Sequence, residues 1–283
     1  MTGVQTCALP ISLWPSPTPT AEPDAGASGT LAELGSWVER TLGGWLSSRA
    51  RSRARLDGGL DRLATVGRAV ELAARLEPGT PAGLEVGFAV DGVAVGVART
   101  SDLPATVCSH APAAIGVHVV TSTVRAADGE VLVAPAPIAR LQVVGDGPVI
   151  VADTRLLDGD ATALAALRGL DAEGVTLCWV ELAAPDAVAA RHAQLAAAGW
   201  PPAAVLAIGA RDQHFEQLGV DFGAVNARLL LRRIRAAGVP LVAAVTRPDA
   251  ADGPAAVGLA SLTLAQLAAM RAAPGGLTAL RDA

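Results

Sequence analysis

A carboxylate at the end of a short apolar run is the first candidate for chemistry in this sequence. Asp153 directly follows Val149–Ala152, and turn-forming residues occupy 156–160. In an open sheet of parallel strands, reactive groups lie where the strands end, at their carboxyl ends. Asp153 is therefore where such a sheet would place its first reactive group, and the alternative is an ordinary loop or helix-capping acid.

Polar residues also follow two further apolar runs. Glu181 comes directly after 175–180, and Thr246 comes directly after 241–245. The runs are continuously apolar, which is typical of strands buried on both faces of a parallel sheet. Because the carboxyl ends of parallel strands meet at one edge, we expect these polar side chains to lie in one cleft with Asp153.

The elements that would position these residues differ along the chain. Apolar residues at helical spacing from Leu31, and a second helix over Leu60–Leu76, predict a helical N-terminal segment. From Leu84 the period becomes two, and Asp91-Gly92 between two alternating runs predicts a β-hairpin. Strands and helices alternate after 149, which predicts a doubly wound parallel sheet.

We predict four regions from these changes. Residues 1–29 are an adapter-derived stretch and a disordered linker, since 2–11 resemble a translated sequencing adapter and a Pro-rich run follows. Residues 30–78 form the helical segment, 82–146 the small β-sandwich and 147–283 the α/β domain. The Trp- and Arg-containing N-terminal helix either meets an anionic membrane surface or packs as a hairpin with a solvated Arg face.

Two further features have plain interpretations. Asp158 and Asp160 flank Gly159 in the turn after Asp153, without the additional acids that a Ca²⁺ loop needs, so we interpret them as a solvated turn. His118 lies between valines on a predicted strand and is interpreted as a sandwich or surface histidine.

The order of elements and several short motifs resemble one family. Residues 112–120 with 127–133 resemble its sandwich hairpin, 179–186 its second-strand motif, and 243–249 with 256–259 its fourth motif and following turn. The family is the lipin/Nir-type phosphatidate phosphatase-like domain of the haloacid dehalogenase (HAD) superfamily, and the resemblance covers about residues 105–265. It implies a HAD-like parallel-sheet domain after the sandwich.

The resemblance also implies a set of catalytic groups. That superfamily uses an aspartate nucleophile, an acid/base aspartate two residues later, a Ser/Thr and a Lys on the phosphate, and acidic Mg²⁺ ligands. Asp153 matches the nucleophile, but Arg155 occupies the acid/base position and cannot release a proton near neutral pH. Glu181 occupies the second-motif Ser/Thr position, and would repel a phosphate.

The cationic and metal-binding positions are altered as well. All 22 basic residues are Arg, so the chain has no Lys for the phosphate; Arg228, or Arg232, would replace its charge with a different geometry. The fourth-motif acids fall on Arg247 or Asp249, with Asp252 nearby.

The function that follows is a degenerate, non-catalytic HAD-like module that binds an anionic phosphate ester, with phosphatidic acid as a candidate, at a membrane surface. The ligand-binding residues would be Arg155, Glu181, Arg228, Thr246 and Arg247. One alternative is a Mg²⁺-dependent phosphatase with Asp153 as nucleophile and with Asp153 and Asp249 as metal ligands. A structural or protein-interaction domain is the other.

Composition and charge argue against several other classes of protein. The formal net charge of −5 argues against extensive nucleic-acid binding. No apolar run approaches the roughly 18 residues that would cross a bilayer. Cys108 and Cys178, the cysteines of the folded part, show no metal-ligand spacing. We therefore expect a cytoplasmic protein, able to meet a membrane surface, with no cofactor unless Mg²⁺ serves catalysis; its oligomeric state stays open.

Overall fold

Most of the regular structure in the described part of this chain is β-strand. The computed structural model describes residues 54–101, 103, 105–159, 163–181, 187–207, 222–247, 252–255 and 257–276. These residues all belong to one compact unit. The predicted linker, the first N-terminal helix and Asp249 lie outside the described residues.

In the described residues, thirteen strands form three sheets. The strands are β1 Leu56–Gly59, β2 Arg62–Thr65, β3 Val70–Leu76, β4 Glu85–Val90, β5 Val93–Arg99, β6 Ala105–His110, β7 Gly116–Arg125, β8 Val131–Val144, β9 Val149–Asp153, β10 Thr176–Glu181, β11 Val205–Ala207, β12 Leu241–Val245 and β13 Ala260–Leu262. The α-helices are α1 Val188–Ala197, α2 Phe222–Ala236, α3 Asp252–Ala255 and α4 Leu264–Ala272, and 3-10 turns occupy Thr154–Asp158, Ala163–Leu167 and Asp171–Glu173.

Two of the sheets form a β-sandwich. One has the strand order β1-β3-β6 and the other β2-β8-β7-β4-β5. Val86, Phe88 and Val90 alternate along β4 and point into the core between the sheets, as the period of two predicts. The hairpin between β4 and β5 is confirmed. Asp91 and Gly92 adopt φ angles of 48° and 81°, as a two-residue type I′ turn requires.

The predicted helix over 60–76 is wrong, because this segment forms β2 and β3. Its residues are good helix formers, but that preference is worth only a few tenths of a kcal/mol per residue. β3 pairs with β1 on one side and with β6 on the other. Leu72 and Ala74 are thereby buried in the sandwich core, so the sandwich begins well before residue 82.

The third sheet is parallel and has the order β11-β10-β9-β12-β13. β9 is central and fully buried. One face packs against α2 and against the outer face of the five-stranded sandwich sheet, through Leu231, Leu63 and Val144. The opposite face packs against α1, α4 and a 3-10 turn, through Leu195, Leu267 and Leu167 among others.

The predicted fold class, an α/β protein with a helical N-terminal segment, a small sandwich and a doubly wound HAD-like domain, is wrong. Of the described residues, 43% are in strands and 23% are in helices. The described N-terminal part is sandwich rather than helix. Between β9 and β10 the described residues form 3-10 turns, and between β12 and β13 the only described helix has four residues. Among the described residues, the regular alternation of strand and full helix on which the prediction depended is therefore interrupted after β9 and after β12.

A buried carboxylate joins the sandwich to the parallel sheet. Asp61, in the link between β1 and β2, is 5% exposed. Its Oδ1 accepts the backbone N–H of Arg140 on β8 at 2.8 Å. Its Oδ2 accepts the backbone N–H of Val205 on β11 at 2.7 Å and Nε2 of His192 on α1 at 2.7 Å. One side chain therefore fixes two sheets and a helix together.

Strand β8 supplies the neighbouring contacts between the sheets. The guanidinium of Arg140 donates to the Ala203 carbonyl at 2.8 Å. Two residues further along, the buried Gln142 donates to the Leu177 carbonyl at 2.9 Å and accepts the Ala204 N–H at 3.3 Å. Because alternate residues of a strand share a face, β8 presents a polar ladder to the parallel sheet.

We expect Asp61→Ala to lower the free energy of unfolding by roughly 3–5 kcal/mol, because it leaves two buried N–H groups and an imidazole without their acceptor. Urea denaturation followed by circular dichroism measures the change. The exposed Asp57→Ala, on β1, is the matched control and should cost less than about 0.5 kcal/mol. Equal stabilities of the two variants would contradict the role given to Asp61.

His118 and Asp91 form a second polar link, within the sandwich. Nδ1 of His118 lies 2.7 Å from Oδ2 of Asp91, and Nε2 lies 3.0 Å from the Ala114 carbonyl oxygen. Both partners are acceptor oxygens, so this geometry favours a ring that carries hydrogen on both nitrogens. The hydrogen bond to Asp91 raises the pKa of His118, and the same bond lowers the pKa of Asp91. Oδ1 of Asp91 also accepts the Val119 N–H at 2.8 Å.

This pair should make stability depend on pH. A raised histidine pKa stabilises the fold fully below the unfolded value of about 6.5, and the effect is lost as pH rises through the folded pKa. The lowered Asp91 pKa adds a loss as pH falls below about 4. We therefore expect His118→Gln to cost most between about pH 4 and 6.5. Thermal unfolding across pH, with His110→Gln as control, measures this, and a pH-independent cost would contradict it.

Candidate functional site

Asp153 lies at the carboxyl end of the central strand of the parallel sheet. It is the last residue of β9, pairs in register with Val180, and is completely buried. It is also the N-cap of the following 3-10 turn, where its Oδ1 accepts the Arg155 backbone N–H at 2.9 Å. The helix-capping role considered for this acid is thus confirmed.

The side chain of Arg155 covers the Asp153 carboxylate. Its Nε donates to Oδ2 at 2.9 Å and to Oδ1 at 3.2 Å, and its NH2 donates to Oδ2 at 2.6 Å. The tight turn that starts at Thr154 brings the side chain of Arg155, which is two residues after Asp153, back over the end of the strand. Both oxygens that would attack a substrate therefore face a guanidinium, and the lone pairs are engaged.

Glu181 occupies the end of the neighbouring strand β10, and its side chain is 1% exposed. Its Oε2 accepts the Thr154 hydroxyl at 2.7 Å and Nε of Arg191, from α1, at 3.0 Å. A buried carboxylate is tolerable only when it is paired and hydrogen-bonded. Glu181 meets both conditions. The positive charge of Arg191 therefore offsets the negative charge that was expected to repel a phosphate.

Arg191 extends the cluster to the surface. Its NH1 and NH2 donate to Oδ1 and Oδ2 of Asp158 at 2.9 and 3.3 Å. Gln194, one helical turn after Arg191, donates to Oδ1 of Asp158 at 3.0 Å. The side chain of Asp158 is 53% exposed. Hydrogen bonds from Arg191, then from Gln194, hold the pKa of Asp158 below its usual value, and the charge of Arg247 contributes.

The solvated turn predicted around Asp158 is therefore an incomplete interpretation, because Asp158 belongs to an ion-pair cluster. Sequence reasoning also missed Thr154, Arg191 and Gln194. Arg191 and Gln194 are three residues apart and so share one helical face, but only the position of α1 beside β10 reveals what that face contacts.

The remaining predicted site residues are placed differently. Thr246 directly follows β12 and is buried, and its hydroxyl lies 3.1 Å from that of Ser261 on β13. Arg247 is exposed and close enough to Asp158 to lower its pKa. Arg228 is exposed on α2, and none of the described hydrogen bonds of the cluster includes it.

The structure thus brings Asp153, Arg155 and Glu181 to one edge of the sheet. Among the described residues, no three His, Cys, Asp or Glu side chains are grouped to hold a metal ion. Asp249 lies outside the described residues, so the metal pair implied by the resemblance stays a prediction. We find no helix in the described part of the chain that is long and apolar enough to cross a membrane.

No family model matches the chain, and no curated protein matches it. The chain is similar to the crystal structure of Dpr1 IG1 bound to DIP-eta IG1, at 11% identity and a TM-score of 0.23, over 32% of this chain and 95% of that one. It is similar to the tandem Ig repeats of Dlar at 8% identity and a TM-score of 0.23, over 35% of this chain and 58% of that one. At these TM-scores the likenesses do not bear on fold or function.

We expect Arg155→Met to lower the free energy of unfolding by about 3 kcal/mol, because the buried Asp153 carboxylate loses its counter-charge. Adding Asp153→Asn should recover most of this loss, since the remaining amide still accepts the backbone N–H of the turn. A double-mutant cycle by urea denaturation measures the coupling. Additive effects of the two substitutions would show that the pair is not coupled.

Proposed function

We propose that the chain is a non-catalytic binding module that recognises an anionic phosphate ester at the carboxyl ends of its parallel strands. Phosphatidic acid is the candidate lipid, and a membrane surface is the candidate setting. The observation that carries the proposal is the bidentate contact of Arg155 with the buried Asp153. It supports binding rather than turnover, because the carboxylate that would form a covalent intermediate is already neutralised.

Three carboxylates and three guanidiniums lie in this cluster, so its formal charge is balanced. The members are Asp153, Asp158, Glu181, Arg155, Arg191 and Arg247. Asp153 and Glu181 are buried and fixed, whereas the side chain of Asp158 is about half exposed. An exposed ion pair contributes only about 0–1 kcal/mol, so Asp158 is the member that can leave.

A phosphate ester matches the place that Asp158 occupies. Arg191 presents two N–H groups to the two oxygens of Asp158, which is the fork geometry that guanidiniums also use for phosphate. The buried Glu181 accepts a hydrogen bond from Nε of Arg191, so the two guanidinium N–H groups that face Asp158 are oriented before a ligand binds. Arg247 adds a second positive charge beside it. A phosphate monoester with nearly two negative charges would therefore replace one carboxylate with a gain in charge attraction.

Binding to phosphatidylcholine vesicles with and without phosphatidic acid tests this proposal. We expect the chain to prefer vesicles that contain phosphatidic acid. Arg247→Gln should weaken this preference, because it removes a positive charge, and Asp158→Asn should strengthen it, because it removes the competing carboxylate. Each change should be roughly threefold to fivefold. Asp146→Asn makes the same charge change before β9, at the opposite end of the strand, and should leave the affinity unchanged. Glycerol 3-phosphate, used as a competitor, separates recognition of the phosphate group from recognition of the lipid surface.

Two outcomes would overturn the proposal. Equal binding to both vesicle types, with no effect of Asp158→Asn, would leave a structural or protein-interaction role as the better explanation. Mg²⁺-dependent hydrolysis of p-nitrophenyl phosphate by the wild-type chain, abolished in Asp153→Asn, would favour the phosphatase instead.

A further inference from the structure

A cavity opens where the edge of the sandwich meets the edge of the parallel sheet. It has a volume of about 480 Å³, which lies in the range of small-molecule sites. Its walls come from β2 and the start of β3 on the sandwich side, from the end of β11, and from α2 with the residue that follows it. Its described lining residues do not include any member of the charged cluster around Asp153 and Glu181.

The inner wall of this cavity is aliphatic. Four of its residues are buried in the core between the two layers: Leu63, Leu206, Leu230 and Ile234. Val70, at the start of β3, lines the cavity as well. The described lining residues include no aromatic side chain. Such a wall favours a ligand with a saturated hydrocarbon chain, because the chain gains affinity mainly by leaving water.

Arg62 on β2 supplies a positively charged group to the cavity. Its side chain is anchored at one point, where Nε donates to the Glu71 carbonyl at 2.9 Å. In the described part of the chain, no acceptor is hydrogen-bonded to its NH1 or NH2. Arg62 is only partly buried, and neither nitrogen is among the buried polar atoms that lack a partner, so both are open to solvent. An anchored guanidinium with two open N–H groups suits a carboxylate.

The neighbours of this guanidinium show where it lies. Glu71, whose carbonyl accepts from Nε, lines the cavity from β3. Arg233 lines it from α2 and is close enough for its charge to act on Arg62. The guanidinium therefore lies between β3 and α2, which is the space that the cavity occupies.

The charge of Arg62 is not fully compensated by its surroundings. Burial lowers the pKa of its guanidinium, the carboxylate of Glu71 opposes this effect, and the positive charge of Arg233 lowers the pKa further. Asp61 also lines the cavity, but its two oxygens already accept three hydrogen bonds. The pKa of Arg62 is lowered in sum, so a further negative charge beside it would be stabilising.

We infer that this cavity binds a small carboxylate that carries a saturated hydrocarbon chain. The carboxylate accepts from NH1 and NH2 of Arg62, and the chain lies on the aliphatic wall. Octanoate is a suitable probe, because it is ionised at pH 7. Octanamide has the same length and nearly the same shape without the charge, and it is the matched control ligand. The site does not depend on the phosphate-ester function proposed above.

Titration of the full chain with both probes, followed by ¹H–¹⁵N NMR, tests the inference. We expect wild-type chain to bind octanoate at least about tenfold more tightly than octanamide, because only octanoate forms charge-assisted hydrogen bonds. Octanoate should also shift the backbone N–H signals of Leu63, Leu206 and Ile234, which locates it in the cavity.

Two variants test the role of charge. Arg62→Met keeps an apolar side chain and removes the guanidinium, so it should weaken octanoate binding about tenfold and octanamide binding less than about twofold. Arg99→Met makes the same change on the exposed face of β5, at the other edge of the sheet that contains β2, and should leave both affinities unchanged. Ala237 is exposed and lines the cavity, so the fold should accept Ala237→Glu. Its added negative charge should weaken octanoate binding about threefold.

Four results would overturn the inference. The first is no saturable binding of octanoate up to about 10 mM, and the second is equal affinity of the wild-type chain for octanoate and octanamide. The third is unchanged octanoate affinity in both Arg62→Met and Ala237→Glu. The fourth is a set of shifts confined to α1 and the end of β9, which would place octanoate at the charged cluster. The first two are measured on the wild-type chain, so they decide the matter even if Arg62→Met folds poorly.

Discussion

The structure depends on one buried carboxylate. Asp61 accepts hydrogen bonds from the five-stranded sandwich sheet, from the edge of the parallel sheet and from α1, at 2.7–2.8 Å. Removing such a group from water is costly unless each lone pair finds a donor. The donors come from elements 79 to 144 residues away in sequence, so the cost is recovered only when sandwich and parallel sheet meet in one register. Asp61 therefore links the assembly of the two layers to the position of α1.

The position of α1 determines the charged cluster. Arg191 and His192 are consecutive on this helix, and they contact Glu181 and Asp61 respectively. The contact that orients the sandwich and the contact that neutralises the end of β10 are thus made by one helical turn. This arrangement explains how a set of acids at the carboxyl ends of parallel strands remains buried without a metal-binding geometry among the described residues. Each of the two buried acids at the strand ends has a guanidinium partner, Arg155 for Asp153 and Arg191 for Glu181.

Local signals in the sequence were reliable where the residue type restricts the backbone. Asp91-Gly92 predicted a hairpin because both positions tolerate a positive φ, and the structure has that hairpin. The apolar runs before Asp153, Glu181 and Thr246 predicted buried strands that do end at one sheet edge. The segment 60–76 failed because its Glu, Leu, Ala and Arg residues carry a helical preference that pairing with β1 and β6 outweighs. No local pattern reveals those distant partners.

By itself, the sequence determined which residues stand at the strand ends, and that Arg and Glu occupy positions where the resembling family has an acid and a hydroxyl. It also determined the absence of Lys. Only the tertiary structure decided how these charges pair: Arg155 folds back on Asp153, while Arg191 arrives from a helix to hold Glu181. The reason is physical. A side-chain type fixes charge and hydrogen-bonding capacity, but burial and the partners within 3 Å, which decide what that charge can do, are set by packing between distant elements.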